Sequence, residues 1–239
     1  MEEKTILDSK DLQQSAEMAR TFTAHVFSWM VAALAVSAVT AYYVANSSFL
    51  GYLYNFETGG RSMLGWAVML SPFAFILVMN FGLEKLSSTV ISGLFLLFAI
   101  CMGASLSYIF IVYSSTALIT TFGITSGTFA VMALVGYTTK TDLTKFGSIM
   151  MMGLVGIIIA MIANWFMNSA MLDYIISIIG VLIFTGLIAY DTQKIKRIGM
   201  QVGLGSQMGR KLAIMGAMSL YLDFINLFLF LLRLLGSRD

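Results

Sequence analysis

Two aspartates in apolar segments are the residues of this sequence best placed to do chemistry. Asp223 lies in the middle of residues 219–226, SLYLDFIN, and Asp191 directly follows the apolar residues 186–190, GLIAY. A charged side chain at the centre of a membrane helix costs at least about 2.5–3.5 kcal/mol, so an acid in such a segment needs a reason. Two carboxyl groups that meet cannot both ionise easily, and such a pair would share one proton and respond to pH.

Asp223 belongs to a polar stripe along its predicted helix. At helical spacing the stripe contains Gly216, Ser219, Asp223, Asn226 and Arg233. In a helix that is otherwise apolar, such a stripe faces the protein interior or water rather than lipid. A less specific interpretation makes Asp223 a buried acid that is hydrogen-bonded to Ser219 and Asn226 and serves only helix packing.

Asp191 also has a less specific interpretation, as an interfacial residue paired with Lys194. At 1.5 Å per residue, Asp191 lies about 9 Å from the basic residue Arg197 along its helix. The same rise places Asp223 about 18 Å from Lys211. These depths differ, so this arithmetic leaves contact between the two carboxyl groups open.

The composition excludes most soluble classes of protein. Of 239 residues, 59% are hydrophobic and only 11% are charged, against about 25% charged in an ordinary soluble domain. Cys101 has no second cysteine to pair with, and His25 is the only histidine. A disulfide scaffold and a zinc site of His and Cys are therefore excluded. A net charge of +2 without a basic cluster also disfavours nucleic-acid binding.

Long segments without charge predict an all-α polytopic membrane protein with seven transmembrane helices. Barrel strands would alternate apolar and polar residues, and these segments are apolar all round. The predicted spans are residues 22–45, 62–81, two within 86–139 separated near 113–116, 146–166, 172–190 or beyond, and 212–235. Residues 1–21 are predicted to form a polar cytoplasmic tail, and residues 22–239 a single transmembrane domain.

Lysine and arginine predict the orientation. Eleven of the fourteen basic residues fall in the N-terminal tail and in alternate loops, and three fall on the other side. Basic residues concentrate on the cytoplasmic side of membrane proteins. The N-terminus is therefore expected in the cytoplasm and the C-terminus outside, and a bacterial inner membrane is the expected location.

Three segments resemble the Bax inhibitor-1 family, also called the transmembrane Bax-inhibitor-motif family. They are residues 190–195, YDTQKI, residues 219–228, SLYLDFINLF, and residues 122–129, FGITSGTF. The resemblance implies a seven-helix bundle with the last helix central, and a pH-sensitive calcium leak. It implies that Asp191 and Asp223 form a hydrogen-bonded dyad that senses pH.

The resemblance also implies a basic latch residue near the inner end of the second helix. Lys85 is its nearest counterpart here, next to Glu84. The family pattern would place arginine there, and lysine cannot make the planar bidentate contact of a guanidinium group. A solvated pair of Lys85 with its neighbour is the alternative.

Two functions remain as hypotheses. In the first, the protein is a calcium leak channel without a cofactor, and Asp191 and Asp223 bind the permeant ion transiently, with Ser219 and Asn226 along the path. Carboxylate, hydroxyl and amide oxygens are the ligands that calcium prefers. In the second, which the resemblance also implies, the protein binds and restrains a membrane-anchored AAA protease through residues 1–21.

An enzymatic function is disfavoured. Paired acids on consecutive membrane helices invite comparison with an intramembrane aspartyl protease, in which two carboxyl groups activate water. The residues before Asp223 are Leu-Tyr-Leu, which lacks the Gly-x-Gly-Asp pattern of that class. The sequence therefore predicts a protein that is not an enzyme.

Overall fold

Seven long apolar helices account for most of the chain. The computed structural model describes residues 2–55 and 59–236, with side chains described from residue 13 onward. Within that part, seven helices are long and apolar enough to cross a membrane. Helices form because backbone groups in hydrocarbon must find their partners inside the segment. The predicted all-α polytopic membrane fold is confirmed.

The helix ends agree closely with the limits of the charge-free segments. In chain order the elements are α1 (Glu2–Ala45), α2 (Leu50–Leu53), β1 (Tyr54–Asn55), β2 (Gly60–Arg61), α3 (Met63–Gly82), α4 (Ser88–Leu106), α5 (Ile109–Val112), α6 (Ser115–Thr138), α7 (Thr144–Met167), α8 (Ala170–Val202) and α9 (Gln207–Leu235). The break expected near residues 113–116 falls between α5 and α6. Ser114 caps α6 there by accepting a hydrogen bond from the Ala117 amide at 3.2 Å.

Two helices extend beyond the predicted spans. α1 begins at Glu2 and continues without interruption through residue 22, where the composition changes from polar to apolar. α8 continues to Val202, so its last turns carry charged residues. The separation of residues 1–21 from the rest of the chain stays a prediction, and the side chains of residues 2–12 lie outside the described part.

The first of two compact units takes in the chain up to Val112 together with Gly199–Met218. In it α4 packs against both α1 and α3. The Ser37 hydroxyl donates a hydrogen bond to the Ala99 carbonyl at 2.7 Å, which joins α1 to α4.

In the short hairpin of β1 and β2, Tyr54 pairs with Arg61. Burial raises the pKa of the Tyr54 phenol, and the Arg61 guanidinium partly opposes that rise.

The second compact unit takes in Tyr113–Ile198 and the chain from Ser219 onward. Three glycines bring its helices close together. Gly136 of α6 lies against the backbone of Ala189, Gly147 of α7 against the Tyr190 ring, and Gly180 of α8 against the Phe230 ring. α9 is the most buried of the seven long apolar helices.

Candidate functional site: an aspartate pair

The structure brings the two predicted acids together. Asp191 on α8 and Asp223 on α9 both belong to the second unit, and their side chains lie within hydrogen-bonding reach of each other. The contact that the helix arithmetic left open is therefore made. Glycine also allows a close approach of these two helices, because Gly180 of α8 lies against the Phe230 ring of α9.

The two carboxyl groups have different surroundings. Asp223 is only 6% exposed, and among the described residues its Oδ2 atom has no hydrogen-bond donor. Since a carboxylate oxygen cannot donate, a hydrogen bond between two carboxyl groups requires a proton on one of them. A hydrogen bond between these two carboxyl groups would therefore need one proton on the pair.

Asp191 is the more accessible member of the pair. Its side chain is half-buried, and the exposed Lys194 one turn further along α8 acts on it electrostatically. Lys194 forms no direct ion pair with Asp191 within the part of the chain that the structure describes. The ion pair with Lys194 considered for Asp191 is thus not formed within the described residues.

Aromatic rings line the helix contact next to the pair. Phe224, which follows Asp223, packs edge-on against Phe122 at 5.5 Å and Phe129 at 5.7 Å between ring centroids. On the other helix, Thr192 follows Asp191 and is fully buried, and its hydroxyl has no hydrogen-bond partner among the described residues. The residue after Asp223 thus belongs to an aromatic contact, and the residue after Asp191 has a buried hydroxyl without a partner in the described structure.

The predicted site also included Ser219, Asn226 and Lys85, and the structure gives these residues other surroundings. The Asn226 amide donates a hydrogen bond to the Leu222 carbonyl of its own helix at 2.8 Å. Among the described residues the Oδ2 atom of Asp223 has no donor, so neither Ser219 nor Asn226 donates to that atom. Lys85 is exposed in the turn after α3 and belongs to the first unit. Its role as a latch stays a prediction.

The sequence analysis missed a set of polar side chains at the end of α8. Gln193 accepts a hydrogen bond from the Leu143 amide at 2.9 Å and donates one to the Thr141 carbonyl at 2.8 Å. Lys196 donates to the Tyr137 carbonyl at 2.7 Å and lies 4.7 Å from the Tyr137 ring centroid. Their spacing in the sequence could have indicated this set, because Gln193 and Lys196 are three residues apart and therefore share a helix face.

Arg197 completes this contact between α8 and the loop before α7. Its guanidinium lies 2.8 Å from Asp142 and also donates to Gln193 at 2.9 Å. The Thr144 hydroxyl donates to the same Asp142 oxygen at 2.6 Å. Hydrogen bonds from Thr144 and Arg197 hold the pKa of the Asp142 carboxyl well below its usual range. The loop is therefore attached to α8 a short distance beyond Asp191.

We expect Asp142→Asn to loosen this loop at neutral pH. A group whose pKa is lowered by folding stabilises the folded state above its unfolded pKa and loses that effect only as pH falls through the folded value. In the unsubstituted protein, loop protection should thus be equal at about pH 7 and about pH 5 and fall only in stronger acid. The measurement is hydrogen exchange of the amides of residues 140–146, corrected for the intrinsic exchange rate at each pH. Glu84→Gln, an exposed acid in the first unit, is the control. Equal protection in Asp142→Asn and the unsubstituted protein at neutral pH contradicts the attachment.

Seven long apolar helices define the class as a polytopic membrane protein, and its last two helices carry the paired acids. The chain matches the family described as "Inhibitor of apoptosis-promoting Bax1" over residues 19–239. It belongs to this Bax inhibitor-1 family, as residues 190–195 and 219–228 indicated.

Bacterial relatives extend over nearly the whole chain. An uncharacterized protein of Borreliella burgdorferi is 42% identical over 98% of this chain and 99% of its own length. The inner membrane protein YbhL of Escherichia coli K12 is 41% identical over 92% of each chain. The uncharacterized protein RP147 of Rickettsia prowazekii is 39% identical over 98% of this chain and 97% of its own. The similarity therefore includes both helices that carry the pair.

Proposed function

We propose that this protein is a pH-sensitive calcium leak channel of a bacterial inner membrane, gated by Asp191 and Asp223. The contact between these two side chains on consecutive membrane helices is the observation that carries the proposal. Intramembrane acids mark ion pathways and proton relays, because their cost in hydrocarbon is tolerated only where they have a role. The printed name of the Escherichia coli relative supports the inner membrane as the location.

The gate follows from the proton that the pair shares. With the proton present, the hydrogen bond joins α8 to α9. When the proton leaves, two negative charges face each other at hydrogen-bond distance, and their repulsion separates the helices. The exposed Lys194 is the cation that acts on the pair and partly offsets the charge of Asp191.

Loss of the proton also prepares the pair for its ion. Calcium prefers hard oxygen ligands, and two ionised carboxylates supply them. The same event thus opens the helix contact and creates negative charge along the path. Flux is therefore expected to rise with pH.

The proposed orientation places the pair within reach of cytoplasmic protons. Asp191 is followed on α8 by Lys194, Lys196 and Arg197, and basic residues concentrate on the cytoplasmic side. This end of α8 is then cytoplasmic, as is the N-terminus, and the C-terminus lies outside. The leak would accordingly report cytoplasmic pH.

Calcium flux into vesicles at two pH values tests the proposal. Purified protein in liposomes that enclose a calcium indicator should pass calcium about tenfold faster at about pH 8 than at about pH 6, because loss of the shared proton separates the two helices. Asp223→Asn should remove the pH response, since an amide does not ionise. Glu84→Gln, which changes an exposed acid of the first unit, is the control and should keep the response. Unsubstituted protein with equal flux at both pH values, or Asp223→Asn with an intact response, contradicts the proposal.

A further inference from the structure

The second unit contains a cavity of about 660 Å³ where α7 is followed by α8 and where α9 ends. Ligand sites in proteins have volumes of about 300–1,000 Å³. Its lining includes a cation, an anion, two amides and two large amphipathic rings, namely Arg233, Asp173, Asn164, Asn168, Trp165 and Tyr174. The aspartate pair has no part in this lining.

An ion pair stands at one side of the cavity. Arg233 lies 3.2 Å from Asp173, and both side chains are about one-third exposed. Asp173, at the start of α8, is thus paired with a cation from α9. The contact uses one terminal nitrogen of the guanidinium, whose carbon lies 5.5 Å from the Phe230 ring centroid. A guanidinium has five N–H groups, so Arg233 keeps donors for an anion in the cavity.

Two asparagines form the turn that borders the cavity. Asn168 ends α7 in the left-handed conformation with φ of 50°, and its amide N–H donates to the Asn164 carbonyl at 2.7 Å. The side-chain oxygen of Asn164 accepts from the Ser169 amide at 3.0 Å. The Asn164 side-chain oxygen is thus held by the turn, and its NH₂ group remains as a donor in the lining.

The rim of the cavity has the chemistry of the lipid headgroup region. Trp165 is 72% exposed and Tyr174 is 55% exposed. Exposed tryptophan and tyrosine concentrate where membrane meets water, because their rings are apolar at one side and polar at the other. This end of the second unit therefore lies at the depth of phospholipid headgroups.

We propose that the cavity binds a phosphoethanolamine headgroup, with its phosphate on Arg233 and its ammonium on Asp173. Arginine pairs with phosphate through two parallel hydrogen bonds. An adjacent cation and anion complement a zwitterion, whereas an anionic headgroup without an amine would leave Asp173 facing like charge. The acyl chains of a membrane phosphatidylethanolamine would extend from the cavity alongside the exposed Trp165 and Tyr174 rings. These apolar contacts favour the lipid over the free headgroup.

Fluorescence of Trp165 in detergent tests the proposal. Trp29→Phe and Trp66→Phe leave Trp165 as the only tryptophan. Dioctanoyl phosphatidylethanolamine is the probe, and dioctanoyl phosphatidylglycerol, glycerophosphoethanolamine and inorganic phosphate are the comparison ligands. Arg233→Gln should weaken binding of the ethanolamine lipid about tenfold, as expected for one charge-assisted contact.

Three further variants test the contacts to the ammonium and to the phosphate one at a time. Asp173→Asn should weaken binding of the ethanolamine lipid but leave the glycerol lipid unweakened, because only the former has an amine. Arg61→Gln, which changes an arginine of the first unit, should bind like the unsubstituted protein. Arg233→Lys keeps the charge without the bidentate contact and should bind with intermediate affinity, so the test does not depend on the folding of Arg233→Gln.

Three outcomes would overturn the assignment. The first is equal binding of the ethanolamine lipid by Arg233→Gln, Arg233→Lys and the unsubstituted protein. The second is binding of the glycerol lipid as tightly as the ethanolamine lipid. The third is saturation by inorganic phosphate or glycerophosphoethanolamine at the concentrations at which the lipid saturates, which would indicate a site for a soluble phosphate compound.

Discussion

Replacing Asp191 and Asp223 together by asparagine is expected to change the pH response of calcium flux no more than replacing either one. The reason is that the pair titrates as a unit through one shared proton. Either substitution removes the possibility of two facing charges, so nothing remains for the second substitution to remove. The ratio of flux at about pH 8 to flux at about pH 6 should fall from about ten to about one in all three variants.

A double-mutant cycle on this ratio measures the coupling. A tenfold effect that appears fully in each single variant corresponds to a coupling free energy of about 1.4 kcal/mol. Glu84→Gln combined with Asp223→Asn is the control, because Glu84 is an exposed acid of the first unit whereas the pair belongs to the second. That combination should show no coupling. A pH response that survives in Asp191→Asn would mean that Asp223 titrates alone and would contradict the shared proton.

Gly136→Ala is expected to destabilise the protein and to disturb the pair. A Cβ atom added at Gly136 would collide with the carbonyl group of Ala189 on α8. Backbone cannot move aside as a flexible side chain can, and overpacking of this kind costs about 1–3 kcal/mol. Ala189 lies two residues before Asp191, so a displaced α8 would also move that carboxyl group away from Asp223.

Gly127→Ala on the same helix provides the control. A Cβ atom added at Gly127 meets no atom within 4 Å, and alanine is favoured over glycine in a helix by about 0.8–1.0 kcal/mol. Thermal unfolding in detergent should therefore give a lower midpoint for Gly136→Ala and an equal or higher midpoint for Gly127→Ala. Equal midpoints for the two variants would show that the approach of α6 to α8 is not tight.

Most of the fold could be predicted because the limits of each helix depend on residues within or next to that helix. The span predicted at residues 146–166 became Thr144–Met167, and the span predicted at residues 62–81 became Met63–Gly82. The predicted break in the long charge-free segment was found beside Ser114, whose hydroxyl suits a helix cap. The uninterrupted continuation of α1 across residue 22 was not predicted, because polar residues give no span signal although they can continue a helix.

The candidate site was predicted only in part. Asp191 and Asp223 stand out because acids are costly in apolar segments. Gln193 was missed, since a glutamine at the end of a helix is ordinary until its two partners in the loop before α7 are known. Ser219 and Asn226 share a stripe with Asp223 but not its contacts, because helical spacing fixes a face and not the rotamer of each side chain.

Residue types alone determined that this chain crosses a membrane in seven helices and that two acids lie within its apolar segments. Those properties follow from the free energy of transferring each segment out of water, which depends on the segment itself. Only the tertiary structure decided that the two carboxyl groups meet and that Asp173 pairs with Arg233. Such contacts depend on the depth, rotation and close approach of whole helices, which positions such as Gly136 and Gly147 allow and which no single segment specifies.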